Sequence, residues 1–138
     1  MKRIMAITIV GSFLMTQGGA FAYEGGKHHK EDGQIQKLHD MMPMYAIAMA
    51  KLESALDKAD LAAVEAEAGK MLATSPNLQK SKPHKNLKQL KAFRSIAAGF
   101  ERDLKETVGL AKKGDFPKAK TSFLNAETKC AECHAKFR

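Results

Sequence analysis

Apolar residues recur along the chain at alternating intervals of three and four positions, which is the spacing of one face of an α-helix. The first series predicts a helix whose apolar seam is formed by Ile35, Leu38, Met42, Tyr45, Met49, Leu52 and Leu56. Pro43 lies inside this series, and a proline removes one helical hydrogen bond and clashes with the preceding turn. The helix is therefore either kinked near His39, or it begins at Asp40 with Pro43 in its first turn.

A second and a third series predict two further helices separated by a loop. The second helix has Asp60 as its N-cap and ends near Thr74, and its seam is formed by Leu61, Val64, Ala68 and Met71. Residues 75–85 contain two prolines and many polar side chains, which predicts a loop. The third seam then runs through Leu87, Leu90, Phe93, Ala97, Phe100, Leu104 and Ala111.

A fourth helix is predicted at the end of the chain. Gly114 would end the third helix as a C-cap glycine, and Asp115 would begin the fourth helix as its N-cap. The last seam is formed by Phe116, Ala119, Phe123, Ala126, Cys130, Cys133 and Phe137. Four amphipathic helices with short links predict an all-α fold, an antiparallel up-down-up-down four-helix bundle. No stretch shows the period-two alternation of a strand.

The beginning of the chain has the pattern of an export signal. Lys2 and Arg3 precede an apolar stretch that is too short to span a bilayer, and Ala20-Phe21-Ala22 fits a small-x-small cleavage site. We therefore expect residues 1–22 to be a cleaved signal peptide that exports the protein to the periplasm. Residues 23–33 are polar and glycine-rich, which predicts a flexible arm, and residues 34–138 would form the bundle. No later segment is apolar enough to predict a membrane span.

Composition and charge narrow the class of protein. The 138 residues include 23 Lys and Arg against 15 Asp and Glu, and only 7% are aromatic. Nucleic-acid binding is not expected of an exported chain with so few aromatic residues. No acid–base pair or nucleophile constellation stands out, so we do not expect an enzyme. Basic residues are frequent from residue 112 onward: Lys112, Lys113, Lys118, Lys120, Lys129, Lys136 and Arg138. Their charge has two interpretations, docking with acidic redox partners or solubility alone.

The strongest chemical signal is the sequence Cys130-Ala131-Glu132-Cys133-His134. C-x-x-C-H is the attachment signature of a c-type haem. Two thiols must lie about one helical turn apart to add to the two vinyl groups, and the next residue is an imidazole that can bind the iron. On a helix these three side chains share one face, which here continues the apolar seam of the fourth helix. The sequence therefore predicts one covalent haem c inside the bundle, bound by Cys130, Cys133 and His134.

Other functions of a cysteine pair fit less well. A dithiol redox motif is expected near a βαβ pattern, which this chain lacks. A structural zinc site needs four ligands, and the chain has only two cysteines. A disulfide between Cys130 and Cys133 would close a very small loop on a helix with poor geometry.

The layout and the C-terminal motif together resemble the cytochrome c-prime family. The motif stands here as CAECHAKFR, from Cys130 to Arg138, and only this segment is specific in sequence. The resemblance implies a four-helix bundle with one haem c and with His134 as the proximal iron ligand. The family often carries a tryptophan early in the third helix; this chain has none, and Leu87 stands near that position.

The sixth iron position is expected to face the beginning of the first helix, because the first and fourth helices of such a bundle are antiparallel neighbours. Four candidates lie there, namely His39, Met41, Met42 and Met44, and we predict Met42 because it lies on the seam. The resemblance implies a methionine at this position in a low-spin branch and an apolar residue in a gas-binding branch.

These observations predict a monohaem periplasmic c-type cytochrome that carries electrons. The first alternative is a five-coordinate protein of the c-prime type that binds nitric oxide or a similar gas. The second is a copper-binding bundle without haem, because the thioethers near His39 are soft ligands. A homodimer through the first two helices is a further prediction from the resemblance.

Overall fold

The structure, a computed structural model, describes residues 33–138, which form four α-helices and one 3₁₀ turn. They are α1 (Gly33–Asp57), α2 (Leu61–Lys80), the turn (Leu87–Gln89), α3 (Leu90–Lys112) and α4 (Phe116–Phe137). The described residues contain no strand, which confirms the all-α class. The predicted signal peptide and the predicted arm up to residue 32 lie outside the described residues.

The four helices enclose one apolar core. α1 packs against α2 and α4, and α3 packs against α2 and α4, which is compatible with a four-helix bundle. Large side chains from every helix are completely buried there, among them Leu52, Val64, Met71, Leu104 and Phe123. The packing of α1 against α4 is the least extensive of these four interfaces. Within residues 33–138, no helix is long and apolar enough to cross a membrane.

The helix ends follow the capping pattern of the sequence. The Asp60 carboxylate accepts a hydrogen bond from the backbone N–H of Ala63 at 3.0 Å, and Asp115 accepts one from Lys118 N–H at 3.2 Å. Gly114 has a φ of +77°, a left-handed conformation that glycine adopts without steric cost. The predicted N-caps of α2 and α4 are thus confirmed, because satisfying these free backbone donors favours a helix start there.

The prediction that the second helix ends near Thr74 is wrong. α2 continues through Pro76 to Lys80, and this extension buries Ser75 and Leu78. Pro76 has no N–H to donate to the carbonyl of Leu72 four residues before it. The hydroxyl of Ser75 donates to that carbonyl at 3.0 Å instead, so the proline leaves no unsatisfied acceptor. The loop is consequently shorter than the predicted 75–85 segment.

The predicted seam of the first helix is also corrected. α1 is helical on both sides of Pro43, and Met41 is buried with 8% exposure, whereas Met42 is half-buried. The core-facing residues of α1 are Leu38, Met41, Tyr45, Ala48, Leu52, Ala55 and Leu56. This series and the predicted one share four members, and the apolar residues at 41, 42, 48 and 49 let the sequence fit both. The pattern indicated that Met42 is the sole inward-facing candidate, and this is wrong, because Met41 also faces the core.

Leu87 does not belong to the third seam. It is 55% exposed and lies in the 3₁₀ turn that precedes α3. Asn86, just before it, has a left-handed φ of +58°, and its side-chain amide donates to the carbonyl of Lys136. This bond between the turn and the end of α4 fixes the direction of the chain before Leu90, so the helix begins later than the periodicity indicates.

We expect Ser75→Ala to lower the free energy of unfolding by about 1–2 kcal/mol, because the Leu72 carbonyl would lose its partner beside Pro76. Ser54→Ala, at an exposed position of α1, is the matched control, since both substitutions gain the same helix propensity. Urea unfolding of the three proteins measures the difference. Equal stabilities of the two variants would contradict this account of how α2 passes Pro76.

Candidate functional site

The C-terminal half of α4 carries the cysteine motif. Cys130 and Cys133 are half-buried and His134 is exposed, and all three lie within the helix. The helix ends just beyond them, where the Arg138 N–H donates to the carbonyl of His134 at 3.2 Å. The three side chains line one cavity, so the expectation that the motif presents a single face is confirmed.

This motif cavity lies among the helices and has a volume of about 690 Å³. All four helices and the α2–α3 loop contribute to its lining. The exposed lining residues lie in α1, in the loop and at the C-terminal end of α4: His39, Pro43, Ala46, His84, His134 and Arg138. The volume falls within the range of about 300–1,000 Å³ that is typical of small-molecule and cofactor pockets. The cavity is lined by residues of both α1 and α4, whose interface is the least extensive of the four named above.

Aromatic and aliphatic side chains form the inner walls of the motif cavity. The rings of Phe93 and Phe137 meet edge to face with centroids 5.3 Å apart, and Tyr45 stacks on Phe100 at 5.6 Å. The Tyr45 hydroxyl donates to the carbonyl of Met71 at 3.1 Å and accepts from Thr74 at 3.0 Å. Its polar end is therefore satisfied by α2, and the ring contributes an apolar surface to the cavity.

Burial is the main cause of the raised pKa values of three groups that line the cavity, the two cysteine thiols and the Tyr45 hydroxyl. It raises the pKa of the Cys130 thiol to about 11, with smaller contributions from Cys133 and Glu127. It also raises the pKa of Cys133, to which the nearby Glu132 carboxylate adds. Both thiols are consequently neutral near pH 7, unlike the low-pKa cysteines of redox and nucleophilic sites. For Tyr45, burial is again the main cause of a raised pKa, and the hydrogen bond from Thr74 opposes it.

Two of the four candidate distal residues come together with the motif. Met42 and His39 line the cavity. Met41 is buried in the core, and Met44 is half-buried on another side of α1; neither lines the cavity. The structure therefore separates a cluster that is contiguous in the sequence, because successive positions on a helix point about 100° apart.

His84 is a residue of the site that no sequence pattern indicates. It lies in the lysine-rich loop after α2, lines the motif cavity and stacks on His39 with ring centroids 4.8 Å apart. The Nε2 atoms of the two rings are 2.9 Å apart, so one imidazole donates to the other. The two residues are 45 positions apart, and no local pattern signals a contact of that range.

The basic residues from residue 112 onward fall into two groups, and only one of them lies near the motif. Lys112 pairs with Glu65, Lys118 with Asp115 and Lys120 with Asp57. Lys120 is ten helical residues before Cys130, or about 15 Å along α4. The four lysines at 112, 113, 118 and 120 therefore lie toward the opposite end of α4, and Lys129, Lys136 and Arg138 remain near the motif.

Neither a cluster of metal ligands nor a known family accounts for the site. In the described part of the chain, no three His, Cys, Asp or Glu side chains converge as ligands for a metal ion. No protein-family model matches the chain, and no curated protein matches its sequence. The motif and the cavity are therefore the features that indicate a function.

We expect Cys130 in the haem-free chain to react with iodoacetamide at pH 8 roughly 10- to 100-fold more slowly than an ordinary thiol. The raised pKa lowers the thiolate fraction about tenfold per pH unit, and the higher nucleophilicity of the thiolate offsets part of that loss. The rate should keep rising with pH toward 11, and the same chain in denaturant is the control. Equal rates for the folded and the denatured chain at pH 8 would contradict the burial of this thiol.

Proposed function

We propose that the chain is a periplasmic monohaem c-type cytochrome that carries electrons. Cys130 and Cys133 would hold the haem c covalently, and His134 would be the proximal iron ligand. The observation that carries this proposal is the convergence of all three motif side chains on one cavity with aromatic and aliphatic walls. The export step of the proposal rests on the pattern of residues 1–22 alone.

An antiparallel up-down-up-down order of the helices is part of the proposal. It is supported by the ion pair between Lys120, near the start of α4, and Asp57, at the end of α1. The Lys112–Glu65 pair links the end of α3 to the first turns of α2 in the same way. At the other end, the loop after α2 bonds to the last carbonyls of α4 through Asn86 and the Lys85 N–H. In such an arrangement the haem lies near the C-terminal end of α4.

The residues of the motif cavity fit a haem. Two neutral thiols, one helical turn apart, suit covalent attachment, and an imidazole follows directly. Bound haem supplies an iron that can change oxidation state by one electron. The chain's own contribution is to hold the group at two points and to keep water from it with the apolar walls. The aromatic and aliphatic inner walls also match the apolar faces of such a ring system.

We propose Met42 as the sixth ligand. It is half-buried, lines the motif cavity and belongs to α1, which forms the wall facing α4. His39 also lines the cavity, but its Nε2 atom lies 2.9 Å from Nε2 of His84, and this contact would have to break for the atom to bind iron. Thioether ligation raises the reduction potential and occupies the position that a gas would take, which suits electron transfer.

The gas-binding alternative gains support from one feature, the apolar character of the walls. If no side chain of α1 bound the iron, the apolar lining residues, such as Leu38 and Phe100, would supply no ligand in its place. The copper alternative gains none, because Met41 lies in the core and Met44 lies away from the cavity. We infer no catalytic activity for this site.

The covalent attachment is tested on protein exported by a bacterial host that can attach haem. After denaturation and acid extraction, we expect the haem to remain with the polypeptide, since thioether bonds survive this treatment. Cys130→Ser together with Cys133→Ser should release all of it, whereas Thr128→Ala, at an exposed position of α4, should not. Haem that is extracted from the unchanged protein, or a protein without haem, would overturn the proposal.

The distal ligand is tested by Met42→Ala in the haem-loaded protein. We expect a change from low spin to high spin and the loss of the far-red band that sulfur ligation produces. Met44→Ala is the matched control, because Met44 is a half-buried methionine of α1 that does not line the cavity. An unchanged low-spin spectrum would exclude Met42, and His39→Ala would then be examined. A high-spin spectrum of the unchanged protein would favour the gas-binding alternative instead.

A further inference from the structure

The segment between α2 and α3 is strongly basic. Residues 80–91 contain five lysines and no acidic residue: Lys80, Lys82, Lys85, Lys88 and Lys91. No aspartate or glutamate occurs anywhere between Glu67 and Glu101. The charge of this segment is therefore not compensated by its neighbours in the sequence.

The fold joins this segment to a second basic one. The Lys85 N–H donates to the carbonyl of Phe137 at 3.3 Å, and the Asn86 side chain donates to the carbonyl of Lys136. These bonds satisfy carbonyls that the end of α4 would otherwise leave free. They also bring the loop lysines to the end of the molecule that carries Lys136 and Arg138. We call this set the cationic rim: Lys82, Lys85, Lys88, Lys129, Lys136 and Arg138.

The cationic rim borders the motif cavity. Lys129 and Arg138 line the cavity itself, together with His84 of the loop, which directly precedes Lys85. Among residues 33–138, few acidic residues lie at this end: Glu132 lies 3.6 Å from Lys129, Glu127 is a lining residue, and Asp40 of α1 accepts a hydrogen bond from Gln36. Within the described residues, positive charge is consequently in excess around the opening.

Ion pairs are more frequent at the opposite end of the bundle. Lys112, Lys118 and Lys120 each have a carboxylate partner there, whereas Lys58 and Lys113 form no ion pair within residues 33–138. Within the same residues, Lys85, Lys88 and Lys136 of the cationic rim form no ion pair, although Lys136 lies 5.7 Å from the ring centroid of Phe137. Unpaired charge extends its field into solvent, and a field of one sign steers an oppositely charged protein toward the surface that bears it.

We propose that the electron-transfer partner is a protein with an acidic surface that docks on the cationic rim, not on the α3–α4 hairpin. This inference rests on the proposed function and names the surface that serves it. Docking there would bring the partner to the open side of the motif cavity, which shortens the distance for electron transfer. One electron passes between the two proteins, so that one is oxidised as the other is reduced, and no bond forms or breaks.

Two double variants with the same change in net charge test this surface. Lys85→Glu with Lys88→Glu alters the rim, and Lys58→Glu with Lys113→Glu alters exposed positions in the turns at the other end of the bundle. The probe is a strongly acidic flavodoxin, a one-electron donor. At low ionic strength we expect the rim variant to be reduced about tenfold more slowly than the unchanged protein, and the control variant less than about twofold more slowly. The absorption spectra of both variants should be unchanged.

A second measurement needs no electron transfer. Addition of oxidised flavodoxin to the ¹⁵N-labelled protein should shift amide resonances mainly in residues 80–91 and 129–138, with or without haem. Failure to retain haem would overturn the proposed function and leave this binding result intact. Equal kinetic effects of the two variants, or shifts centred on residues 112–120, would overturn the docking proposal. The docking proposal would also be overturned if the protein did not bind flavodoxin but its cationic rim bound phosphatidylglycerol vesicles.

Discussion

The incomplete packing of α1 against α4 is the constraint on which the rest of the structure depends. Three of the helix interfaces are extensive, and this fourth one accompanies a cavity of about 690 Å³. Apolar walls without atoms opposite them forgo dispersion contacts, so a cavity of this size is costly unless another group completes it. A flat, largely apolar cofactor would restore those contacts. The cysteines and the histidine of the C-x-x-C-H motif line the same cavity that would hold this cofactor.

The motif and the basic loop become one site only through the end of α4. The last turn of α4 carries His134, and its final carbonyls accept hydrogen bonds from Lys85 and Asn86. These bonds have a structural role at the helix terminus, and they also fix where the positive charge of the loop lies. A few backbone groups thus hold together the C-x-x-C-H motif, the opening of the cavity and the basic loop. His84, which stacks on His39 at the edge of the cavity, connects the same loop to α1.

The parts of the fold that depend on local chemistry were predictable from the sequence. Asp60 and Asp115 cap helices because their side chains can reach backbone N–H groups three residues ahead. The rotation of α1 was not predictable, because Met41 and Met42 are both apolar and both fit a three-four spacing. Nor was the helical path past Pro76, which depends on a side-chain hydroxyl replacing the missing hydrogen bond. Contacts between distant segments, such as that between His39 and His84, produce no local pattern in the sequence from which they could be predicted.

The central claim is that iron lies inside the motif cavity, bonded to His134. Anomalous diffraction at the iron absorption edge, from crystals of the exported protein, tests this most directly, since it locates iron without reference to any assumed cofactor. We predict a single strong peak between α1 and α4, within bonding distance of a ring nitrogen of His134, with continuous density from the haem to Cys130 and Cys133. A crystal without an iron peak, or one whose iron lies outside the cavity, would contradict the account.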